Sequence, residues 1–262
     1  MSRHPNSVDL IVTSPPYNIG TDYEGYDDER PEESYMNWFL DCIDAMQRNL
    51  KFGGRIAINI SQSNTGMRYP LAEKICSAFV DWGFIYRDTI VWDKGTTSKI
   101  TAWGSWLSPS CPYFVDTTEF IYVFSNYDKR HKSNTKPDIT RDEFVSWSRT
   151  PWRFRGETRK SILDVHPAPF PLDLPVRLIK YLTYPGDVVF DPFMGSGTTV
   201  AAALLLERKA YGCDISKRYV DFTFHRISHT PYIKSDLMQL ERILTQAACG
   251  NSDNTELRDS SS

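Results

Sequence analysis

Short apolar runs and longer segments with helical spacing alternate along the chain. The apolar runs predict β-strands over residues 8–12, 55–60, 84–92, 117–124, 188–190 and 209–214. Apolar residues that recur at helical spacing predict helices over residues 31–50, 69–82, 172–182, 200–207, 216–227 and 233–248. This alternation predicts an α/β fold in which a mainly parallel, twisted sheet carries helices on both faces. Ligands of such sheets bind at the carboxyl ends of the strands.

The first predicted helix carries a stripe of aromatic side chains that includes Tyr35, Trp38 and Phe39. Their spacing is typical of a helix face that packs on a core, so we interpret them as core residues rather than as a platform for stacked bases. Gly53 and Gly54 follow the stripe and are expected to end this helix.

Composition excludes several classes of protein. The chain has 262 residues, a net charge of −3 and five cysteines, at positions 42, 76, 111, 213 and 249. The cysteines form no C-x-x-C pair, so we expect neither a disulfide framework nor a metal site. No apolar run has the length of a membrane span and the start lacks a signal pattern, which predicts a cytoplasmic protein without a membrane partner.

The first candidate site is the acceptor loop, residues 13–17, which follows the first predicted strand and reads Thr-Ser-Pro-Pro-Tyr. Pro15 and Pro16 fix two backbone angles and hold the carbonyls around them outward in one stiff arrangement. Ser14 and the Pro15 carbonyl could therefore accept hydrogen bonds from the amino group of a planar ligand, while Tyr17 packs on its face. Taken alone, the same residues also fit a proline-rich turn.

The second candidate site is the glycine loop, residues 191–199, which leads from a predicted strand into a predicted helix. Gly195 and Gly197 would let the backbone approach a ligand closely, near the free N–H groups of the helix start. The loop lacks the third glycine of a dinucleotide fingerprint and the lysine of a phosphate-binding loop. Asp214 ends the next predicted strand, where a carboxylate can accept the hydroxyls of a ribose.

These two loops, in this order, resemble the amino-directed DNA methyltransferases of the permuted, or beta, class. The resemblance covers residues 7–226 and includes the His-Pro-Ala-Pro-Phe-Pro stretch at 166–171. The form of the acceptor loop, with Ser14 after threonine, resembles the cytosine-N4 branch, whereas the adenine-N6 branch more often carries Asp or Asn there. The resemblance implies a Rossmann-like, S-adenosylmethionine-dependent enzyme that methylates a base flipped out of double-stranded DNA in the prokaryotic cytosol.

The resemblance also implies roles for individual residues. Ser14, Pro15, Pro16 and Tyr17 would form the catalytic loop. The residues that would hold the cofactor are Phe170, Gly195, Gly197 and Thr198 at the methionine portion, Asp191 at its ammonium group, Phe193 at the adenosine and Asp214 at the ribose. A cognate restriction endonuclease and a homodimer are left open.

A basic segment, residues 127–160, separates the two loops. It has ten basic and five acidic residues, a local charge of +5 that leaves −8 on the rest of the chain. Such a segment is often only a solvated face, but its position matches the target-recognition region of the resembling family. Arginines that alternate with aromatic residues suit base contacts, so the DNA-binding candidates are Arg149, Trp152, Arg153 and Arg155. The loop over residues 93–112, with Trp103 and Trp106, either flanks the target base or is pinned to the body.

We divide the chain into a catalytic half (1–126), a target-recognition insertion (127–162), a cofactor-binding half (163–248) and a disordered tail (249–262).

Cytosine-C5 methylation is excluded because it needs a cysteine nucleophile, usually after proline, and the chain has no Pro-Cys pair. Adenine-N6 methylation stays open, because a serine hydroxyl could hold either amine. An RNA or protein-amide methyltransferase and a non-catalytic DNA-binding relative are the remaining alternatives.

Overall fold

One twisted sheet forms the centre of the molecule. The structure, a computed structural model, describes residues 6–62, 69–95, 104–112, 114, 117–129 and 134–249. Within these residues seven strands pair in the order β5-β3-β4-β2-β1-β6-β7. The strands are β1 (Val8–Thr13), β2 (Leu50–Ser61), β3 (Ile85–Asp93), β4 (Thr118–Ser125), β5 (Trp152–Arg153), β6 (Val188–Asp191) and β7 (Lys209–Gly212). Only β4 runs antiparallel to its neighbours in this sheet, which confirms the predicted mainly parallel α/β fold.

Helices cover both faces of the sheet. They are α1 (Glu32–Asn49), α2 (Leu71–Asp81), α3 (Arg141–Trp147), α4 (Lys160–Leu163), α5 (Asp173–Leu182), α6 (Thr198–Leu205), α7 (Lys217–Ser228) and α8 (Thr230–Cys249). One apolar core joins the sheet to α5, α6 and α8, and a second core joins it to α1 and α2. No helix among the described residues has the length and apolar character needed to cross a bilayer.

Strand β1, which was predicted from its apolar run, lies near the centre of the sheet. All six of its residues are buried, and it pairs in parallel with β2 on one side and β6 on the other. Leu10 pairs with both Arg55 and Val189, so the ends of β1 and β6 lie side by side. The sheet therefore brings the acceptor loop and the glycine loop to the same edge, as their positions after strands predict.

The end of α1 differs from the prediction. Gly53 and Gly54 do not end the helix, because α1 already stops at Asn49 and β2 begins at the next residue. Val8 pairs with Leu50 and Leu10 with Arg55, so the glycines lie in an irregular stretch of β2. Burial of Leu50 against the core, which leaves it 1% exposed, outweighs the local signal of the two glycines.

The basic segment packs against the body of the molecule. Strand β5 pairs with β3, and Trp147 and Trp152 lie in the core. Helix α3 begins at a capping box, in which the Thr140 hydroxyl and the Glu143 carboxylate each accept a hydrogen bond from the other's backbone N–H. Three short elements, α3, β5 and α4, thus occur where the periodicity of the sequence predicted none.

Two other predicted segments are only partly described. The loop between β3 and β4 includes an isolated bridge between Gly104 and Pro112, and Trp106 in it is 66% exposed. Trp103 lies outside the described residues. Helix α8 extends to Cys249, and the predicted disordered tail beyond it also lies outside them.

A buried group of charges ties α7 and α8 to the glycine loop. The Arg226 guanidinium, 0% exposed, donates to both carboxylate oxygens of Asp236, at 2.9 and 3.0 Å. It also donates to the Ser196 carbonyl and the Thr198 hydroxyl, each at 3.0 Å. Arg159 of the basic segment pairs with the same carboxylate. Although burial opposes it, hydrogen bonds from Arg226 lower the pKa of Asp236.

We predict that Asp236→Asn lowers the free energy of unfolding by about 3–5 kcal/mol, because it leaves the buried Arg226 without its carboxylate and removes one of the two carboxylates that hold Arg159. The control is Asp221→Asn, which removes only an exposed partner of Lys217 and should cost less than about 1 kcal/mol. Denaturant unfolding of the two variants measures the difference. Equal losses would show that the buried charges do not stabilise the fold as described.

Candidate active site

A cavity of about 650 Å³ opens at the carboxyl ends of β1 and β6. Its volume lies in the range of small-molecule and cofactor sites. Residues from both candidate loops line it, together with side chains from α1, β2, β4 and the stretch before α5. They include Ser14, Tyr17, Trp38, Asn59, Lys94, Glu119, Phe170, Phe193, Gly195, Thr198 and Asp214. The two loops thus share one cavity although they are far apart in sequence.

The acceptor loop presents Ser14 and Tyr17 to this cavity. Ser14 is partly exposed, and its Oγ lies 2.8 Å from the Tyr17 hydroxyl. Pro16 also lines the cavity, but its carbonyl already accepts a hydrogen bond from the Tyr35 hydroxyl, at 2.7 Å. Pro15 is buried and is not among the lining residues. Of the predicted acceptors for an amino group, Ser14 is therefore the one that faces the cavity.

Sequence reasoning missed three polar residues that surround Tyr17. Asn59 Nδ2 donates to the Tyr17 hydroxyl at 2.9 Å, and Glu119 Oε2 accepts from it at 3.2 Å. Lys94 Nζ donates to the other oxygen of Glu119 at 2.7 Å. Burial, followed by the charge of Glu119, raises the pKa of Tyr17 well above its ordinary value, so Tyr17 is a neutral phenol. Polar residues inside otherwise apolar strands, at 59 and 119, were the available signal.

The glycine loop wraps around the start of α6. The Gly195 N–H donates to the Asp214 carboxylate at 3.0 Å, and Asp214 also accepts from the Ser216 N–H at 2.9 Å. A Cβ on Gly195 would lie 2.6 Å from His166 Nε2, and one on Gly197 would lie 2.5 Å from the Thr223 side chain. Gly197 does not line the cavity. Both glycines are therefore needed for close packing, and the contact of Gly197 with the cofactor stays a prediction.

Asp191 lies beneath the cavity, at the end of β6. Its Oδ1 accepts from the Thr13 hydroxyl at 2.6 Å and from the Phe193 N–H at 3.1 Å. Its Oδ2 is buried and has no hydrogen-bond partner among the described residues. Burial, partly offset by the bond from Thr13, raises the pKa of Asp191 to about 6. Asp191 does not itself line the cavity, so a positively charged group there would interact with its carboxylate by charge attraction.

Aromatic rings form the remaining walls. Trp38 lines the cavity with its ring centre 5.7 Å from that of Phe193, so this member of the α1 stripe is not purely a core residue. The His166 ring lies 5.6 Å from Tyr23 and 4.9 Å from Tyr219. Burial lowers the pKa of His166 to about 4, which makes it neutral near pH 7. These rings offer apolar surface to a ligand that also carries cationic and hydroxyl groups.

The donor set fits S-adenosylmethionine. Asp214, which follows β7 and lines the cavity, has the position of a ribose acceptor, and the buried carboxylate of Asp191 at the end of β6 has the charge that attracts an ammonium group. Phe170 and Phe193 supply apolar contacts, and Gly195 and Thr198 of the glycine loop also line the cavity. The described residues include no group of three or more His, Cys, Asp or Glu side chains placed to hold a metal ion.

The DNA-binding candidates separate into exposed and buried residues. Arg149, Arg153 and Arg155 are exposed, and Arg153 lies 3.5 Å from Asp93. Trp152 is 3% exposed and donates from its indole to the Trp147 carbonyl at 2.9 Å. The prediction that Trp152 contacts DNA is therefore wrong for this structure, because its ring fills the core.

Comparison with known proteins agrees with this geometry. The model of the DNA methylase family, which covers N6 and N4 methylation, matches residues 8–225. Type II methyltransferase M.MjaVI of Methanocaldococcus jannaschii is 40% identical over 160 residues, which are 60% of this chain and 82% of that protein. Because the family covers two kinds of amine, these likenesses do not decide between the bases.

Solved structures have the same fold. TTHA0409 of Thermus thermophilus, complexed with S-adenosyl-L-methionine, is 26% identical with a TM-score of 0.68, over 88% of this chain and 90% of that one. The PvuII DNA methyltransferase (cytosine-N4-specific) has a TM-score of 0.69 over 92% of this chain and 87% of that one, and at 22% identity it shows the fold alone. The family match and the donor set of the cavity together show that this chain belongs to the DNA methylase family and uses S-adenosylmethionine as its cofactor.

Proposed function

We propose that this protein is a site-specific DNA methyltransferase of the permuted class that methylates the N4 amine of a cytosine flipped out of duplex DNA. The observation that carries the proposal is the position of Ser14, whose hydroxyl faces the cavity that the glycine loop also lines. A hydroxyl at this position can accept a hydrogen bond from an amine that lies next to the cofactor.

The chemistry requires such an acceptor. An amine on an aromatic base is a poor nucleophile, because its lone pair is delocalised into the ring. When bound, S-adenosylmethionine would supply a methyl group: the N–C bond would form as the S–C bond of the sulfonium breaks, the neutral thioether would leave, and the amine would lose one proton to solvent. Ser14 accepts an N–H of the amine, which favours a tetrahedral nitrogen whose lone pair is localised and can be aimed. Because Pro15 is buried, its carbonyl stays a prediction as the second acceptor.

Tyr17 holds the base by its face. Its ring lines the cavity, and its hydroxyl is fixed by Ser14, Asn59 and Glu119. A ring anchored at its polar end stays in one orientation, which suits stacking on a planar base. Contacts of this kind would offset the energy needed to take the base out of the duplex.

The cofactor is held by residues of the cofactor-binding half. Asp214 accepts the ribose hydroxyls, Asp191 attracts the ammonium group, and Phe193 contacts the adenosine. Gly195, Thr198 and Phe170 contact the methionine portion. Gly197 lets α6 pack against Thr223 of α7, and its contact with the methionine portion stays a prediction.

The choice of cytosine N4 depends on the form of the acceptor loop. The Thr-Ser-Pro-Pro-Tyr sequence resembles the cytosine-N4 branch, and adenine N6 is the alternative with the same mechanism. RNA methylation and non-catalytic DNA binding are further alternatives. The proposal includes a cytosolic location and a cognate restriction endonuclease that acts on the same DNA site without forming a stable complex. It leaves open whether the protein is a homodimer.

The DNA surface lies on the basic segment. Arg149, Arg153 and Arg155 are exposed there and can neutralise phosphates or reach base edges. Arg159 is excluded, because it is held by Glu157 and Asp236.

We predict that the cofactor binds more tightly as the pH rises through about 6, the pKa of Asp191. Below that pH Asp191 is protonated and loses its attraction for the ammonium group. The dissociation constant of S-adenosylmethionine should fall by about tenfold between pH 5 and 7.5, which corresponds to about 1.4 kcal/mol. Titration calorimetry measures this constant. Asp191→Asn is the control, and an equally steep dependence in that variant would exclude Asp191 as the cause.

We predict that the purified protein transfers labelled methyl groups from S-adenosylmethionine to unmethylated genomic DNA. Digestion to nucleosides and chromatography against standards should give N4-methylcytosine. A product of N6-methyladenine would keep the mechanism and overturn the choice of base. Label in RNA only, or in no nucleic acid although the cofactor binds, would refute the proposed function.

We predict that Arg155→Gln weakens DNA binding and makes it less dependent on salt. Each arginine that neutralises a phosphate adds about 0.9 to the slope of log affinity against log salt concentration. Fluorescence anisotropy at several salt concentrations gives this slope. Lys74→Gln, an exposed change on α2, is the matched control and should leave it unchanged. Equal slopes for Arg155→Gln and the wild type would remove Arg155 from the DNA surface.

A further inference from the structure

A chain of hydrogen bonds connects Ser14 to a buried carboxylate at the floor of the cavity. It runs from the Ser14 hydroxyl to the Tyr17 hydroxyl and from there to Glu119, which Lys94 pairs with from the far side. We propose that Glu119 is a positioning residue, which sets the direction of the Ser14 hydroxyl so that it accepts, and does not donate, a hydrogen bond. The inference rests on the proposed function, in which Ser14 must accept from the target amine.

The direction in which protons are donated along these hydrogen bonds is set at Glu119, which is 9% exposed. Its Oε1 accepts from the Lys94 ammonium at 2.7 Å. An ionised carboxylate has no proton to give, so Oε2 can only accept hydrogen bonds from its neighbours. Asn59 must therefore face Oε2 with its amide nitrogen, as the structure has it. Both oxygens of Glu119 thus have fixed roles as acceptors.

Tyr17 passes this direction on. Its hydroxyl has one proton. Two groups that can only accept lie within reach, Glu119 Oε2 at 3.2 Å and the main-chain carbonyl oxygen of Asn59 at 3.4 Å. Whichever of them takes the proton, the Tyr17 oxygen is left as an acceptor toward its other neighbours. Asn59 Nδ2 donates to it at 2.9 Å. The remaining lone pair faces Ser14 Oγ, at 2.8 Å.

Ser14 must consequently donate its only proton to Tyr17. The contact between the two hydroxyls is compatible with either direction, and the neighbours of Tyr17 decide which one occurs. With its proton turned away, the Ser14 oxygen presents lone pairs to the cavity. An amine N–H can then approach the Ser14 oxygen. If the Ser14 proton pointed into the cavity instead, it would repel the proton of that N–H.

Glu119→Gln tests the positioning role of Glu119, because a glutamine side chain cannot accept hydrogen bonds from both Lys94 and Tyr17. If its amide nitrogen faces Lys94, a donor meets an ammonium group. If the nitrogen faces Tyr17 instead, both lone pairs of the Tyr17 oxygen are taken by amide donors. Tyr17 then has no lone pair left to accept from Ser14, and the Ser14 proton is released toward the cavity. The substitution therefore disturbs the direction of the Ser14 hydroxyl with almost no change in side-chain volume.

We expect Glu119→Gln to lower the single-turnover rate constant of methyl transfer by about 10- to 100-fold, the value of one hydrogen bond to a charged group. The dissociation constants for S-adenosylmethionine and for DNA should stay within about twofold of the wild type. Glu241→Gln, an exposed change on α8, is the matched control and should leave all three values unchanged. Glu119→Gln at the wild-type rate would overturn the inference.

A double-mutant cycle with Tyr17→Phe separates positioning from direct action. If Glu119 acts through the Tyr17 hydroxyl, Glu119→Gln should cost less than about threefold once that hydroxyl is absent. A full loss in the Tyr17→Phe background would overturn the inference, because Glu119 would then act by another route.

Two further outcomes are decisive. Tyr17→Phe alone should also lower the rate by about tenfold or more, and a wild-type rate in this variant would refute the inference even if Glu119→Gln failed to fold. If the wild type transfers no methyl group to DNA, the proposed function fails together with the inference. A normal wild-type rate that these substitutions do not change refutes the inference alone.

Discussion

The hydrogen bond from Thr13 to Asp191 joins the two functional halves of the chain. The two side chains are 178 positions apart, both are buried, and the bond is 2.6 Å long. It joins the last residues of β1 and β6, which pair in parallel. This pairing brings the acceptor loop and the glycine loop to one edge of the sheet. The cavity, the cofactor contacts and the position of Ser14 all require this alignment.

Much of the fold follows from local signals. The strand and helix pattern predicts β1 to β4, β6 and β7 to within a few residues, apart from the early start of β2 at Leu50, since each is an apolar run bounded by polar or turn residues. Helix α1 was predicted because its buried face recurs at helical spacing. The shared cavity was also predictable, because parallel strands place the loops that follow them at the same edge. These features depend on short-range patterning that one sequence contains.

The parts that were not predictable depend on contacts between distant residues. Trp152 was assigned to DNA because arginines flank it, yet the sheet extends through β5 and draws the ring into the core. Arg159 adds to the positive charge of the basic segment, but Glu157 and Asp236 on α8 hold it. Lys94 and Glu119 could not be identified from the sequence, because it is the pairing of β3 with β4 that brings Lys94 to Glu119, and Glu119 in turn accepts from Tyr17. Composition gives the number of charges in a segment but not their partners.

The proposed function divides two tasks within one cavity. Asp191 and Asp214 would act on the cofactor, whereas Ser14 and Tyr17, which line the cavity, would receive the base. Carboxylates suit a cofactor with cationic and hydroxyl groups, and a neutral hydroxyl whose proton is turned away suits an amine. This separation means that the two tasks should respond independently to substitution.

Ser14→Ala tests the central claim most directly. The measurement is the single-turnover rate of methyl transfer to DNA together with the dissociation constant of S-adenosylmethionine. The account predicts a rate at least about 100-fold lower, from loss of a contact that is strongest in the transition state, with the cofactor affinity unchanged. A variant that still transfers methyl groups at the wild-type rate would contradict it.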